Sequence, residues 1–226
     1  MSQNTDRISI QVGLSGYSFQ LQTADTVKTS GWMSAERIFT TPEFQKRYDK
    51  VEISVFTPKI ALIPEQFQDA AADSAMLENV ADLSEGDVVT SVAVPEFAAV
   101  LVYSNTIGET LSKVVSQTVL DKAGNKAVPL PEMYYMLGAV LQLPDYNKIL
   151  ASYMDGTLYL VIAQGRSLLL CNAFQAPDFT TAEYFIFLAM KKLQLNPEVS
   201  TICFRTPLAE DDEMSLYRYF KNVEQI

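Results

Sequence analysis

The chain uses one order of strands and helices twice, and that repetition leaves few architectures open to it. Apolar and polar residues alternate over 8–13 and 17–22, on either side of a small Leu14-Ser15-Gly16 turn, which is the pattern of a β-hairpin. A less regular strand over 26–33 follows, then a short helix over 42–49 opened by Thr41 and Pro42, then the strand VEISVF at 51–56. Residues 147–205 repeat the order. KILASYM and TLYLVIAQ flank Asp155-Gly156, a dipeptide suited to a primed turn, and SLLLCNAF supplies a third strand. Thr180 and Glu183 have capping-box spacing for a helix reaching Leu195; Asn196-Pro197 stops it and STICF is the next strand. The order is βββαβ in both halves. It predicts an α/β protein of two βββαβα subdomains with mixed sheets, divided as residues 1–128 and 129–226.

The first half carries more than its own sheet needs. KIALI, VVTSVAV and FAAVLVY read as inserted strands, with a helical stretch near 65–80. Ile107, Leu111, Val114, Val115 and Val119 recur at helical spacing behind a capping box at Thr106 and Glu109, with Gly124 beyond the end. EDDEMSLYRYFKNVEQI predicts a final amphipathic helix, and YFIFLAM (184–190), apolar on every side, predicts a buried one.

Composition removes whole classes of chemistry. The chain has no histidine, which excludes Ser-His-Asp and Cys-His nucleophilic sites and HExxH zinc sites. Its net charge of −10 repels phosphate backbones, so nucleic acid is not an expected partner. Apolar runs reach seven residues, as in Phe97–Tyr103, against the roughly 20 needed to span a bilayer. The amino-terminal MSQNTDR is polar and has no signal-peptide core. These features predict a soluble, cytoplasmic protein without membrane insertion. Cys171 and Cys203 each lie in an apolar run and read as reduced core residues, although neighbouring strands could bring them together. No CxxC is present.

The doubled βββαβ plan, with GTLYLVIAQGRSLLLCNAF as its second meander, resembles the ribonuclease-H-like, actin-like ATPase fold. RISIQVGLSGYSFQL, ISVFTPKIALIPEQF and LLLCNAFQAPDFTTAEYFIFLAMKKLQLNPEVSTICF are similar to an uncharacterised Bacteroidetes family, a domain of unknown function assigned that fold. The resemblance implies a duplicated actin-like fold and brings no established activity.

Members of the fold that use ATP carry two apolar-Asp-apolar-Gly hairpins, whose carboxylates organise Mg²⁺ and whose glycines admit phosphate oxygens. The first hairpin here keeps Gly13 but has Gln11 in place of the aspartate. The second reads Leu150-Ala151-Ser152-Tyr153, which would set the Tyr153 ring where backbone should meet an oxygen. Where the resemblance implies an adenosine-binding Gly-Gly, the chain has Arg205-Thr206-Pro207. A degenerate cleft drawn from Gln11, Gly13, Ser15, Ser152, Asp155, Thr157 and Arg205 is therefore expected, with no catalytic residue, no metal and no cofactor. Other candidates have plainer readings. Glu210-Asp211-Asp212-Glu213 suits a helix amino terminus, Asp155 and Thr157 suit a turn, Arg166 a solvated one, and Met133–Met136 a packed helix.

The resulting expectation is a non-catalytic binding or scaffold module, a pseudo-ATPase with an unidentified protein partner, with a homodimer left open. The alternative is an ATP-binding actin-like ATPase or kinase-like enzyme with atypical metal ligands such as Asp155 or Asp178.

Overall fold

The computed structural model describes residues 6–226, so the first five residues of MSQNTDR lie outside it. Strands β1 (Arg7–Val12), β2 (Gly16–Gln22), β3 (Val27–Thr29), β4 (Met33–Ser34), β5 (Arg47–Tyr48), β6 (Lys50–Val55) and β7 (Ile60–Pro64) precede helix α1 (Asp73–Glu78). Next come β8 (Val89–Val94), β9 (Ala99–Ser104), α2 (Glu109–Thr118), β10 (Leu120–Asp121), β11 (Leu130–Pro131) and α3 (Glu132–Val140). Then follow β12 (Asn147–Met154), β13 (Thr157–Gln164), β14 (Ser167–Gln175), α4 (Phe179–Lys192), β15 (Thr201–Phe204), α5 (Glu210–Leu216) and β16 (Asn222–Gln225). The chain divides into two compact units, one of residues up to Thr57 with Asn105–Glu132, the other of Pro58–Ser104 with Met133–Ile226. The inserted strands therefore group with the second half rather than the first.

In the first unit the sheet order is β3-β2-β1-β6-β11, with β4 also paired to β2. The first three strands form an antiparallel meander, whereas β6 runs parallel to β1 and β11 parallel to β6. The alternation in β1 sends Ile8, Ile10 and Val12 into one core with Phe19, Ile53 and, from α2, Val115 and Val119. Each such burial contributes roughly 1.5–3 kcal/mol. Phe44 wedges between Tyr17 and Phe19, ring centroids 4.9 and 5.7 Å away. The helix expected over 42–49 is one 3₁₀ turn, Pro42–Gln45, followed by β5. Pairing of β5 with β10, and the Tyr48 hydroxyl donating to the Glu43 carbonyl at 2.7 Å, hold that segment extended. The strand expected over 26–33 divides into β3 and β4 around Gly31. No side chain caps α2, whose N-cap is Gly108 rather than Thr106.

The second unit repeats the sheet, with order β14-β13-β12-β15-β16 and the same antiparallel and parallel pairings. Asp155 and Gly156 both adopt positive φ, 50° and 70°, as a type I′ turn requires. One face of the sheet packs Ile149, Ala151, Leu160, Ile202 and Phe204 beneath α4 and α5. The N-cap of α4 is Asp178, whose carboxylate accepts from the Thr181 N–H at 2.7 Å, so the Thr180–Glu183 box does not form. The helix ends at Lys192, earlier than expected, because Gln194 turns left-handed at φ 57° and Leu195 N–H bonds back to the Met190 carbonyl. Tyr184 is 60 % exposed, so YFIFLAM is not buried on every side. The carboxy-terminal segment is α5 followed by β16, not one helix: Asn222–Gln225 gains parallel pairing with β15. A separate antiparallel sheet, order β7-β9-β8, carries α1 against it.

Both cysteines are free, Cys203 buried and Cys171 only half-buried on edge strand β14. The register runs Cys171 to Val161 to Leu150 to Cys203 across three strand spacings. At ~4.8 Å per step that is about 14 Å, twice the reach of a disulfide.

Candidate functional site

The C-terminal end of β1 holds a buried polar row where the fold's first aspartate is expected. Gln11 lies in register between Ser18 on β2 and Ser54 on β6. Its Nε2 donates to Glu132 Oε1 at 3.0 Å, and its Oε1 accepts from Ser18 Oγ at 3.2 Å. Glu132 opens α3 directly after β11 and is fully buried. Sequence reasoning missed it because 121 residues separate it from Gln11. A Pro-Glu step ahead of an apolar helix was the available signal, and it reads equally as an ordinary helix start.

The hairpin tip beside this row is closed by the chain itself. Gly13 N–H donates to the Gly16 carbonyl at 3.0 Å, and Ala35 N–H donates to the Ser15 carbonyl at 3.2 Å. Gly16 pairs with Ser34, and a Cβ there would stand 2.2 Å from the Met33 carbonyl oxygen. Gly16 therefore serves the close approach of β4, while Ser15 is exposed at the tip.

Ser152, Thr157, Asp155 and Arg205 all belong to the second unit. Ser152 is fully buried at the end of β12, Thr157 is buried at the start of β13, and Asp155 is an exposed turn residue. Arg205 follows β15, its N–H donating to the Ala151 carbonyl at 3.0 Å and its guanidinium lying 5.9 Å from the Tyr135 ring centroid. That distance is within the range of cation–π attraction. The half-buried Tyr153 ring meets Phe179 edge-on at 5.4 Å, packed against the core under α4, and its hydroxyl donates to the Ala176 carbonyl at 3.0 Å. Thr206 Oγ1, buried, accepts from Tyr153 N–H at 2.9 Å.

The other candidates take the following places. Glu210–Glu213 form the first turn of α5, where the helix dipole favours acidic charge. Met133 and Met136 are buried in α3, and Arg166 is exposed. Asp178 is committed to its cap. Among the described residues, no group of three or more Cys, Asp or Glu side chains is arranged to hold a metal ion. Position 11 carries an amide and position 152 a hydroxyl, neither of them charged, while the one carboxyl group hydrogen-bonded to Gln11 is that of Glu132.

Several solved structures are similar to this chain. A crystal structure from Bacteroides thetaiotaomicron, described as a protein with actin-like ATPase fold and unknown function, aligns over 98 % of this chain and 90 % of its own. The TM-score is 0.67 at 15 % identity. A PilM-PilN type IV pilus biogenesis complex aligns over 97 % of this chain and 88 % of its own, with TM-score 0.47 and 13 % identity. The Aquifex aeolicus PPX-GPPA enzyme aligns over 88 % and 67 %, with TM-score 0.37 and 10 % identity. No curated protein matches the sequence. The duplicated sheet order and the Bacteroides structure establish an actin-like ATPase fold. Residues 4–223 match the family described as Protein of unknown function (DUF3822), and the chain belongs to that family.

Proposed function

We propose that this chain is a non-catalytic binding or scaffold module, a pseudo-ATPase that keeps the actin-like fold and takes a protein partner in the cytoplasm. The observation that carries this reading is Gln11. It replaces a metal-organising carboxylate with an amide whose two polar ends are already committed, to Glu132 and to Ser18. The closed Gly13–Gly16 tip and Ser152 support it, since both hairpins then lack what a phosphate and its cation need. Glu132 favours the competing reading, an ATP-binding enzyme with atypical ligands, because it brings a carboxyl group to the end of β1 from another element.

Thermal unfolding with millimolar ATP separates the two. A ligand at a hundred times its Kd stabilises by about 2.7 kcal/mol. The expected result is no shift that depends on Mg²⁺ and no phosphate release, with Gln11→Asp restoring neither. A melting temperature raised by ATP with Mg²⁺ but not without it overturns the pseudo-ATPase reading.

A further inference from the structure

The inserted segment 58–104 departs from the rest of the chain in charge and in its exposed edge. It holds eight Asp and Glu against one cation, Lys59, a net −7 of the chain's −10. Lys59 is spent internally, its Nζ 2.5 Å from Asp87 Oδ2 with both side chains largely buried. That carboxylate also accepts from Ser84 N–H at 2.7 Å and Ser104 Oγ at 3.1 Å, so the ion pair pins the loop before β8. The pair gives the surface no positive charge to offer.

Within this acidic setting β8 is the outer strand of the β7-β9-β8 sheet. Sheet edges are ordinarily guarded by lysine, proline, a bulge or extreme shortness, because unpaired N–H and C=O groups recruit other strands. Val89–Val94 has none of these. It is six residues long, uncharged, rich in β-branched side chains and in unbroken register with β9. Thr90 and Ala93 are exposed along it, and Val88 just before it is 67 % exposed.

We infer that the free edge of β8 is a docking site for an extended, lysine- or arginine-bearing segment of a partner protein, which adds to the sheet as a fourth strand. Main-chain hydrogen bonds supply pairing without demanding a particular sequence. The segment's excess of carboxylates, with Glu85 ahead of β8 and Glu96 behind it both exposed, selects the sign of charge and speeds encounter. Charge complementarity is also what argues against a second copy as the occupant. Edge-to-edge pairing of two β8 strands would bring two segments of net −7 within a Debye length of ~8 Å. This inference names the partner surface of the binding-module reading, and it can fail while that reading stands, because the ATP titration does not involve β8.

The test uses the whole chain and a labelled peptide, Lys-Val-Lys-Val-Thr-Val-Lys-Val-Lys, read by fluorescence anisotropy and by amide hydrogen exchange. One control peptide has the same charge with two central residues changed to proline; another has glutamate for lysine. The expected result is binding of the lysine peptide, slowed exchange within 89–94, and affinity about tenfold lower for the proline peptide. Thr90→Lys with Ala93→Lys, both at exposed positions, should weaken binding by about tenfold at an unchanged melting temperature. Equal binding of the lysine and proline peptides, or exchange in 89–94 that the peptide leaves unaltered, overturns the proposal. Protection of 89–94 that grows with protein concentration alone, with dimers in sedimentation, overturns it in favour of a second copy.

Discussion

Gln11 Nε2 donates to the fully buried Glu132 Oε1 at 3.0 Å, so the amide at the end of β1 is the partner of a carboxyl group from another element. An aspartate at position 11, one methylene shorter and without the amide N–H, would face Glu132 with a second carboxyl group and remove this donor from its Oε1. A buried site resists carrying both charges.

Gln11→Asp should therefore destabilise the chain at pH 7 by about 3 kcal/mol, the scale for stranding a buried charged group. Denaturant melts at pH 7 measure it. Gln11→Asp with Glu132→Gln, which restores a donor, should recover part of the loss, and additive losses in the double variant would show that the two residues are not coupled.

The cap of α4 gives a second contrast. Asp178→Ala should lower the melting temperature, and Thr180→Ala should leave it unchanged, because only Asp178 accepts from the helix amide of Thr181. That backbone hydrogen bond, followed by the Thr181 hydroxyl, holds the Asp178 carboxyl below its ordinary range. A group depressed on folding contributes fully above its unfolded value, about 4, and loses the contribution as pH falls through the folded one. The deficit of Asp178→Ala should accordingly be present at pH 7 and vanish at the acid end of the titration. A deficit of equal size at both ends would assign the effect to packing.

What was legible in the sequence follows from how local each signal is. The hairpins of β1–β2 and β12–β13 announce themselves by alternation and by Asp155-Gly156, and both formed as read. The amide at position 11 was legible for the same reason: Gln11 sits at a fixed place on a well-marked strand. Glu132 was not, because its meaning lies wholly in a contact made 121 residues away. β16 was hidden likewise. Asn222–Gln225 has no alternation of its own and becomes a strand through parallel pairing with β15. The cap of α4 went wrong by two residues because Thr180 and Asp178 both carry acceptable N-cap chemistry, and only backbone geometry decides between them.

Gln194 shows a cost that the sequence does not advertise. It takes the left-handed conformation at φ 57°, where Leu195 N–H returns to the Met190 carbonyl at 2.9 Å, a Schellman closure that favours glycine. Its side chain is exposed, so little packing is at stake. Gln194→Gly should stabilise by about 1 kcal/mol, or roughly 2–4 °C in melting temperature for a chain of this size. An unchanged or lower melting temperature would mean that the glutamine side chain supplies something the backbone argument omits.

The thiols offer the last test, because exposure and acidity pull their reactivities in opposite directions. Cys171 is the more accessible, half-buried on an edge strand, but burial pushes its thiol up to about 12. Cys203 is enclosed, and burial, with Glu224 and Asp145 adding their negative charge, pushes it up to about 11. The thiolate is the reactive species, and at pH 8 these values leave only about one Cys203 in a thousand ionised, and fewer at Cys171. Both should label slowly with an electrophile in native buffer, then release two fast thiols in denaturant. No oxidant should cross-link them within one folded chain, since three strand spacings keep them about 14 Å apart. Rapid native labelling of either cysteine, or a disulfide between them formed without unfolding, would contradict the register of β12, β13, β14 and β15 on which the second unit is built.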